Sequence, residues 1–401
     1  MFQTQVQEIT IRKRTKDYGR EAHRRFHRLN LSAGVSAYTD PECLRSPILE
    51  LASWTATESG VVYGLDGGST RPMHFRNGMT ICANQAVLSS DSTIQFDGLP
   101  LEAFRTVSLA THSFDPEDRD LSSYYTGDLV DLWRIHIPRE YLRRKVDPVV
   151  KGLADAASEA RHLLRMTDRL RLGPEDLVFL DGGIYPIGLY YYLVDDARWA
   201  WDIGIGSWEH GTEILQQYVE IAERYAELGT PYVGINKTPS TRYLIKFCLE
   251  DSTWANDRQF IAALFDEIPA DNLGYTGWFV QVKYPSRGVS GAQGFELFSQ
   301  LSNFRKRLAP DVYHVCYFFV YDPRVESVLK VETPYTILQN QDPDRLRLQV
   351  LSEIARGKGV PNVIRVADSQ ARVTQVEREA LIRSSGMLPD TLYNQSRGEP
   401  L

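Results

Sequence analysis

Short apolar runs separated by turn residues fill residues 61–109 of the chain. The runs read VVYGL, MTICANQAVL, STIQF and FRTVSLA. Runs rich in β-branched and aromatic residues and bounded by Gly, Asn, Asp and Ser are typical of strands. A polar, acidic stretch at 113–127 then indicates a loop. This part of the chain therefore predicts several short strands.

Beyond residue 139, apolar residues at helical spacing alternate with continuous apolar runs. The spacing predicts helices through much of 139–171, over 211–228 and 294–309, near 343–356 and from about 374. Further strands are predicted at LVFLDGG, PYVGIN, GWFVQVKY, YHVCYFFVY, VLKVETP and NVIRVAD. Strands in succession, followed by strands alternating with helices, predict an α/β fold with a mixed sheet flanked by helices.

Two nearly identical phrases stand at 61–70, VVYGLDGGST, and at 177–186, LVFLDGGIYP. In each, an apolar run stops at an aspartate that two glycines follow, which places Asp66 and Asp181 at predicted strand ends. A plain Asp-Gly turn is the commoner explanation for either phrase alone, because Gly adopts positive φ and Asp caps the turn. The chemical explanation is that the two carboxylates converge across neighbouring strands, at the edge of the sheet where α/β proteins usually carry a site.

Carboxylates brought together repel each other unless a cation lies between them, and magnesium and manganese prefer oxygen ligands. Two further acids suit such a centre. Glu159 borders the apolar stripe of its predicted helix, although it could instead simply contact His162 three residues on. Asp368 ends the apolar run NVIRVAD, ahead of a helix that Thr374 and Glu377 would start with a capping box.

Composition and charge restrict the class of protein. A chain of 401 residues that is 43% hydrophobic can bury a sizeable core, and a net charge of −7 excludes an overall basic surface but not a local basic channel. The four cysteines form no CxxC pair, which disfavours a zinc site or a disulfide framework. Neither a secretory signal nor a run of roughly 18 apolar residues is present. We therefore expect a cytoplasmic protein that does not cross a membrane.

Residues 16–30, KDYGREAHRRFHRLN, form a basic segment. It predicts either a solvated surface helix or an arm that contacts nucleic acid or a partner. We accordingly divide the chain into a basic arm and lead-in at 1–54, a main domain at 55–385 and a polar tail at 386–401.

Six phrases occur in the order found in the NurA nuclease family. They are VYGLDGGSTR, the helix that carries Glu159, LVFLDGGIYP, VGINKTPST, VLKVETP and VIRVADSQARVT. This resemblance spans the main domain and implies an RNase H-like fold. By position, Asp66 and Asp181 match the aspartates of the first two motifs, Glu159 matches the glutamate of the intervening helix, and Asp368 falls at the C-terminal motif.

The resemblance also implies a function. NurA proteins process DNA ends and single strands, often from 5′ to 3′, prefer manganese, form dimers and work with a hexameric HerA-type ATPase in DNA repair or defence. The chain departs from the family pattern at Gly68 and Gly183, where serine is usual, and at Pro361, which lacks the adjoining tyrosine. Because no GxxxxGK[ST] phrase occurs, any motor must be a partner.

We expect hydrolysis of phosphodiesters at two Mn²⁺ or Mg²⁺ ions, with Asp66 bridging the ions and the other three acids completing the shells. Lys237 either contacts a phosphate or is a surface lysine that starts a helix. Tyr185 either stacks on a base or packs in the core. Two other functions stay open, namely a non-catalytic DNA-binding or scaffold subunit of a translocase, and a different nuclease of this fold related to the slicer domain of Argonaute.

Overall fold

The computed structural model describes residues 18–31, 34–38, 40–55, 60–76, 80–96, 99–113, 125–126, 130–136, 146–186, 209–249, 254–285, 294–295 and 305–384. The strands are β1 (Val35–Ala37), β2 (Cys43–Pro47), β3 (Val62–Ser69), β4 (Met73–His74), β5 (Thr80–Phe96), β6 (Leu99–Ser113), β7 (Tyr125–Thr126), β8 (Val130–His136), β9 (Leu177–Asp181), β10 (Tyr232–Asn236), β11 (Asn272–Thr276), β12 (Phe279–Gln281), β13 (Tyr284–Pro285), β14 (Gly294–Phe295), β15 (Val315–Asp322) and β16 (Ser327–Pro334). The helices are α1 (18–26), α2 (Ile48–Ser53), α3 (Val146–Arg169), α4 (Glu209–Leu228), α5 (Asp257–Leu264), α6 (Tyr335–Asn340), α7 (Pro343–Arg356), α8 (Asn362–Ala371) and α9 (Gln375–Ser384), with a π-helical turn at Ile245–Leu249 and a 3₁₀ turn at Pro310–Tyr313.

The chain divides into two compact units, and each is described by itself. The first unit comprises Met1–Gly60, Gly173–Ile184 and Ala222–Asn362. The second unit comprises Val61–Leu172, Tyr185–Ile221 and Val363–Leu401. The division separates the two DGG phrases, because β3 belongs to the second unit and β9 to the first.

The second unit contains the strand order β3-β5-β6-β8-β7, with β4 paired to β5. Strands β6 and β8 are parallel and the other pairs are antiparallel. Where the sequence predicted several short strands, β5 and β6 form one long hairpin with a register shift between Ser89 and Ile94. Helix α3 packs on β3, β5 and β6, and it buries Leu153, Ala157 and Ala160.

The first unit contains the strand order β1-β12-β15-β16-β10-β9, and β11 joins β15 to β2. Strands β9 and β10 are parallel, and β10 is antiparallel to β16. An aromatic core that includes Phe26, Phe260 and Tyr317 covers this sheet. Both units therefore contain a mixed sheet with helices packed beside it, and the predicted α/β class is confirmed.

Two predicted elements are wrong. The run NVIRVAD, predicted as a strand, lies in helix α8, where Val363, Ile364, Ala367 and Ala371 are buried at helical spacing. Its β-branched residues mislead because packing overrides local propensity. The helix predicted over 294–309 fails at both ends, since Gly294–Phe295 is a strand and 305–309 is not helical. Residues 296–304 lie outside the described part of the chain, as do the predicted tail at 386–401 and most of the predicted loop at 113–127.

The basic segment 16–30 is more firmly attached than a free arm. Within it, residues 18–26 form helix α1, whose Ala22 and Phe26 are fully buried in the core of the first unit. Arg20 and Arg24 are exposed on the other side of this helix, and Arg28 is exposed in the turn just after it. The segment is therefore an amphipathic, packed helix with a basic outer face. Among the described helices, none combines the length and the apolar character that crossing a membrane requires.

Candidate active site

Asp66 lies inside strand β3 and not at its end, because the strand continues to Ser69. It pairs across the sheet with Val87 and is only 7% exposed. Its Oδ1 accepts a hydrogen bond of 2.8 Å from the backbone N–H of Gly67. The carboxylate is therefore largely withdrawn from solvent and turned along its own strand.

Glu159 approaches the same stretch of backbone from helix α3. A Cβ atom at Gly67 would overlap Oε1 of Glu159, so the glycine leaves the space that this carboxylate occupies. Glu159 is half-buried. In the sequence alternative Glu159 contacts His162, but His162 shares a hydrogen bond with Thr106 through Nδ1, and its Nε2 has no hydrogen-bond partner among the described residues. Burial also lowers the pKa of His162 to about 3, so the ring offers the carboxylate no positive charge. Two carboxylates, Asp66 and Glu159, thus approach one glycine.

Helix α8 covers the other face of β3. Successive strand residues alternate between faces, so Asp66 shares its face with Gly64 and Gly68. A Cβ at Gly64 would lie 2.5 Å from the carbonyl carbon of Val363, and a Cβ at Gly68 would overlap the carbonyl oxygen of Ala371. The glycines let the whole length of α8 lie against the strand.

Asp368 is placed by α8 and not by a strand end. It is paired with Arg372 one turn later, at 2.9 Å between Nη2 and Oδ2, and its side chain is 40% exposed. The predicted capping box that follows is confirmed, because Glu377 accepts from the backbone and hydroxyl of Thr374 while Thr374 accepts from the backbone of Glu377. The helix that carries Asp368 therefore lies on the face of β3 that carries Asp66, and the Asp368 carboxylate itself is in an exposed ion pair.

The buried side chain of Tyr218 lies close to Glu159. Tyr218 of α4 donates a hydrogen bond of 3.2 Å to the carbonyl oxygen of Ala156. Burial, and after it the nearby carboxylates of Glu159 and Asp155, holds the pKa of Tyr218 well above its usual range. Its hydroxyl therefore stays protonated, close to the carboxylates of Glu159 and Asp155.

In the first unit, Asp181 is the last residue of β9 and lies beside Ile235 of the parallel strand β10. Lys237, two residues past Ile235, projects from the same face, and its Nζ is 2.6 Å from Oδ2 of Asp181. Their side chains are 34% and 19% exposed. Lys237 does not start a helix. The ammonium instead neutralises the second DGG aspartate.

The chain turns sharply after Asp181. Gly182 has φ of +112°, which only glycine adopts readily, and its N–H donates to the carbonyl of Ile235. The N–H of Ile184 donates to Oε2 of Glu332 on β16, at 3.3 Å. Tyr185 follows at 3% exposure, which favours the core-packing alternative over base stacking.

Sequence reasoning did not single out Glu332 and its neighbour Lys330, although both lie in the phrase VLKVETP. Lys330 is fully buried and Glu332 is 9% exposed. Two charged residues two positions apart in an otherwise apolar strand project from the same face, and when they are buried they are usually paired. This pattern in the sequence could have predicted the pair. Gly234 in PYVGIN was a second signal, since glycine inside a strand often marks a close approach of backbone.

The carboxylates suit a hard divalent cation. Asp66, Glu159, Asp181 and Asp368 offer oxygen donors alone, the set that magnesium and manganese prefer. The space at Gly67 is filled by a carboxylate that any larger residue would displace. Among the residues that the structure describes, no three His, Cys, Asp or Glu side chains form a ready-made metal-binding group. The first unit holds Asp181 and the second unit the other three acids.

Fold and site together define an α/β protein whose acidic residues suit a divalent cation. The model of the NurA domain matches residues 60–373, a span that includes all four acids. The chain therefore belongs to the NurA family, as its resemblance implied.

Solved structures of NurA proteins also match, at low identity. The NurA nuclease from Sulfolobus solfataricus is 14% identical, with 96% of each chain covered and a TM-score of 0.46. A NurA structure with manganese is 10% identical and covers 83% of this chain and 91% of that one, with a TM-score of 0.46. A NurA bound to dAMP and manganese is 10% identical and covers 95% and 96%, with a TM-score of 0.40. No curated protein sequence matches the chain significantly.

Proposed function

We propose that this protein is a divalent-metal-dependent deoxyribonuclease that processes DNA ends and single strands. The observation that carries the proposal is the NurA family match over residues 60–373, which contains the buried Asp66 with Glu159 beside Gly67. Structures of NurA proteins with manganese, and with dAMP and manganese, support Mn²⁺ as the ion and binding of a nucleotide. Polarity from 5′ to 3′ and a role in repair or defence are part of the proposal.

Asp66, Glu159, Asp181 and Asp368 are the residues that would hold the ions. Such ions, when bound, would supply a nucleophilic water at neutral pH and stabilisation of the leaving oxygen of the phosphodiester. The chain supplies the rest. Gly67 leaves room for Glu159, and Lys237 keeps Asp181 neutralised.

Lys237 has a second role in this proposal. Its ammonium, which neutralises Asp181 here, would contact a phosphate and offset its developing charge if a cation were bound at Asp181. Its place one strand away from Asp181, on the same sheet face, supports this exchange of partners.

Lys237→Met is expected to lower kcat for DNA cleavage about 10- to 100-fold, because a positive group at the reacting phosphate is lost. The free energy of unfolding should change by less than about 1 kcal/mol, since the ion pair with Asp181 is partly exposed. Steady-state cleavage and urea denaturation check the two parts. The variant Lys246→Met, in the same unit, is the matched control. Unchanged kcat in Lys237→Met would leave the lysine with only its pairing role.

The partners in this proposal are DNA, a second copy of the chain and a hexameric HerA-type ATPase, in the cytoplasm. A two-fold dimer that docks on a hexamer meets a symmetry mismatch, so the contact should use an adaptable surface. The exposed arginines of α1 offer a basic surface for that contact. Since Ala22 and Phe26 are core residues, removal of the whole segment would damage the fold, and point variants are the better probe.

A DNA cleavage assay with the purified protein tests this function. The protein is incubated with single-stranded and duplex DNA, with Mn²⁺, Mg²⁺ or EDTA, and with or without a HerA-type ATPase from the same genome. Cleavage that needs the metal supports the nuclease. DNA binding without cleavage in every condition would instead favour the scaffold function.

The docking part is tested separately by co-purification and light scattering. Arg24→Glu with Arg28→Glu should weaken binding to the ATPase, whereas Arg45→Glu with Arg345→Glu, also exposed in the first unit, should not. Equal binding by both double variants would exclude α1 as the docking element. A monomer at micromolar concentration would contradict the dimer.

A further inference from the structure

The turn after Asp181 packs against strand β10 at a glycine, Gly234. Residue 234 of β10 stands beside Leu180 of β9 on one side and beside Glu332 of β16 on the other. A Cβ at Gly234 would lie 2.6 Å from the carbonyl oxygen of Gly182 and 2.9 Å from the backbone nitrogen of Ile184. Any other residue at 234 would therefore push the turn away from the sheet.

Glu332 reaches across the space that Gly234 leaves. Its Oε2 accepts from the N–H of Ile184, at 3.3 Å, although the two residues are 148 positions apart in the chain. Residues that pair across neighbouring strands project from the same face of a sheet. Glu332 pairs with Gly234 of β10, whereas Asp181 pairs with the next residue, Ile235, so the two carboxylates project from opposite faces. Glu332 therefore touches the turn that carries Asp181 and does not share its face.

Lys330 fixes the other oxygen of Glu332. Its Nζ is 2.7 Å from Oε1 of Glu332, and the lysine is fully buried. The same Nζ lies 4.7 Å from the ring centre of Tyr243 and 4.3 Å from that of Tyr317. A buried ion pair with its ammonium between two aromatic rings holds its geometry closely, because leaving either charge unpaired is costly.

We infer that Glu332 is a positioning residue for the nuclease reaction, acting on Asp181 through the backbone of 182–184. With Gly182 bonded to Ile235 and Ile184 bonded to Glu332, the residues after Asp181 are fixed at both ends of the turn. This fixes the strand end from which the Asp181 carboxylate projects. The inference rests on the proposed function for its catalytic part, while the hold on the turn stands on the contacts alone.

Two double variants isolate the oxygen that holds Ile184. Lys330→Met with Glu332→Leu removes both charges and the acceptor, and replaces them with apolar groups of similar volume, which cores tolerate. Lys330→Met with Glu332→Gln removes the same charges but keeps a side-chain oxygen at position 332. The pair therefore differs in the acceptor for Ile184 and not in buried charge.

With leucine at 332, we expect the Ile184 amide to exchange with deuterium about 10-fold faster, because it has lost its acceptor. We also expect Mn²⁺ affinity and kcat to fall about 10-fold or more, with KM for DNA unchanged, as for other outer contacts of metal ligands. With glutamine at 332, all of these should stay within about 3-fold of wild type. NMR or fragment-resolved hydrogen exchange, calorimetry with Mn²⁺ and steady-state cleavage give the readings.

Equal exchange at Ile184 in the two double variants would overturn the inference, whatever the activity. Faster exchange with unchanged Mn²⁺ affinity and unchanged kcat would also overturn it, because the turn would then not position Asp181. If wild type itself fails to cleave DNA with Mn²⁺, the proposed function fails, and the exchange and Mn²⁺ comparisons still decide whether Glu332 holds the turn for a metal ligand.

Discussion

Asp66→Asn and Asp181→Asn should each reduce manganese-dependent cleavage by about 1,000-fold or more, because each removes a negative oxygen ligand of the proposed metal centre, where a metal would supply several kcal/mol of stabilisation. The fold should survive both changes. Asn has nearly the shape of Asp, and its side-chain oxygen can still accept from the N–H of Gly67. Asp181 stands in a partly exposed ion pair, which contributes less than about 1 kcal/mol to stability.

The controls for these variants are carboxylate-to-amide changes at exposed positions. Glu102→Gln serves for the second unit and Asp311→Asn for the first. Both should cleave DNA like wild type. Thermal melting verifies that all four variants are folded, and cleavage of end-labelled DNA gives the rates. Manganese-dependent activity that persists in either aspartate variant would refute the assigned roles.

Gly67→Ala and Gly68→Ala should fail in different ways, although the glycines are neighbours. At Gly67 a methyl group meets the Glu159 carboxylate, a flexible side chain that can move. Cleavage should therefore fall about 10- to 100-fold, because Glu159, a proposed metal ligand, loses its position. The free energy of unfolding should change by about 1 kcal/mol or less.

At Gly68 the methyl group meets the carbonyl of Ala371, which is backbone of α8 and cannot move alone. Unfolding should become easier by about 3 kcal/mol or more, since overpacking against a fixed backbone strains the whole contact. Denaturation and cleavage are measured on both variants. If Gly67→Ala loses stability as strongly as Gly68→Ala, the space at Gly67 serves packing and not the Glu159 carboxylate.

The fold class could be predicted from the sequence. The doubled DGG phrase predicted a strand end at both aspartates, which is right for Asp181 and wrong for Asp66. At Asp181 the glycine is needed for a positive φ, as the plain turn explanation holds. At Asp66 the strand continues, and the glycines make room for Glu159 on one face and α8 on the other. Local sequence cannot distinguish these causes, because the second depends on elements about 90 and 300 residues away in the chain.

Helix α8 shows the same limit. Its β-branched run has the propensity of a strand, and only the packing of Val363 and Ala371 on the glycines of β3 makes a helix the better arrangement. The ion pair between Lys237 and Asp181 could have been predicted from the sequence, because two parallel strands that end side by side bring the residues at their ends together. The hydrogen bond between Glu332 and Ile184 could not be predicted from the sequence, because only the register of strands β9, β10 and β16 brings the two residues together.

The central proposal is that the two DGG aspartates serve one metal centre. A crystal of the protein grown with Mn²⁺, measured at a wavelength where manganese scatters anomalously, tests it most directly. The proposal predicts an anomalous peak within about 2.0–2.3 Å of carboxylate oxygens from both Asp66 and Asp181, the distance range of such hard cations. Peaks that touch only one of the two aspartates, or none, in a crystal that cleaves DNA when dissolved, would contradict it.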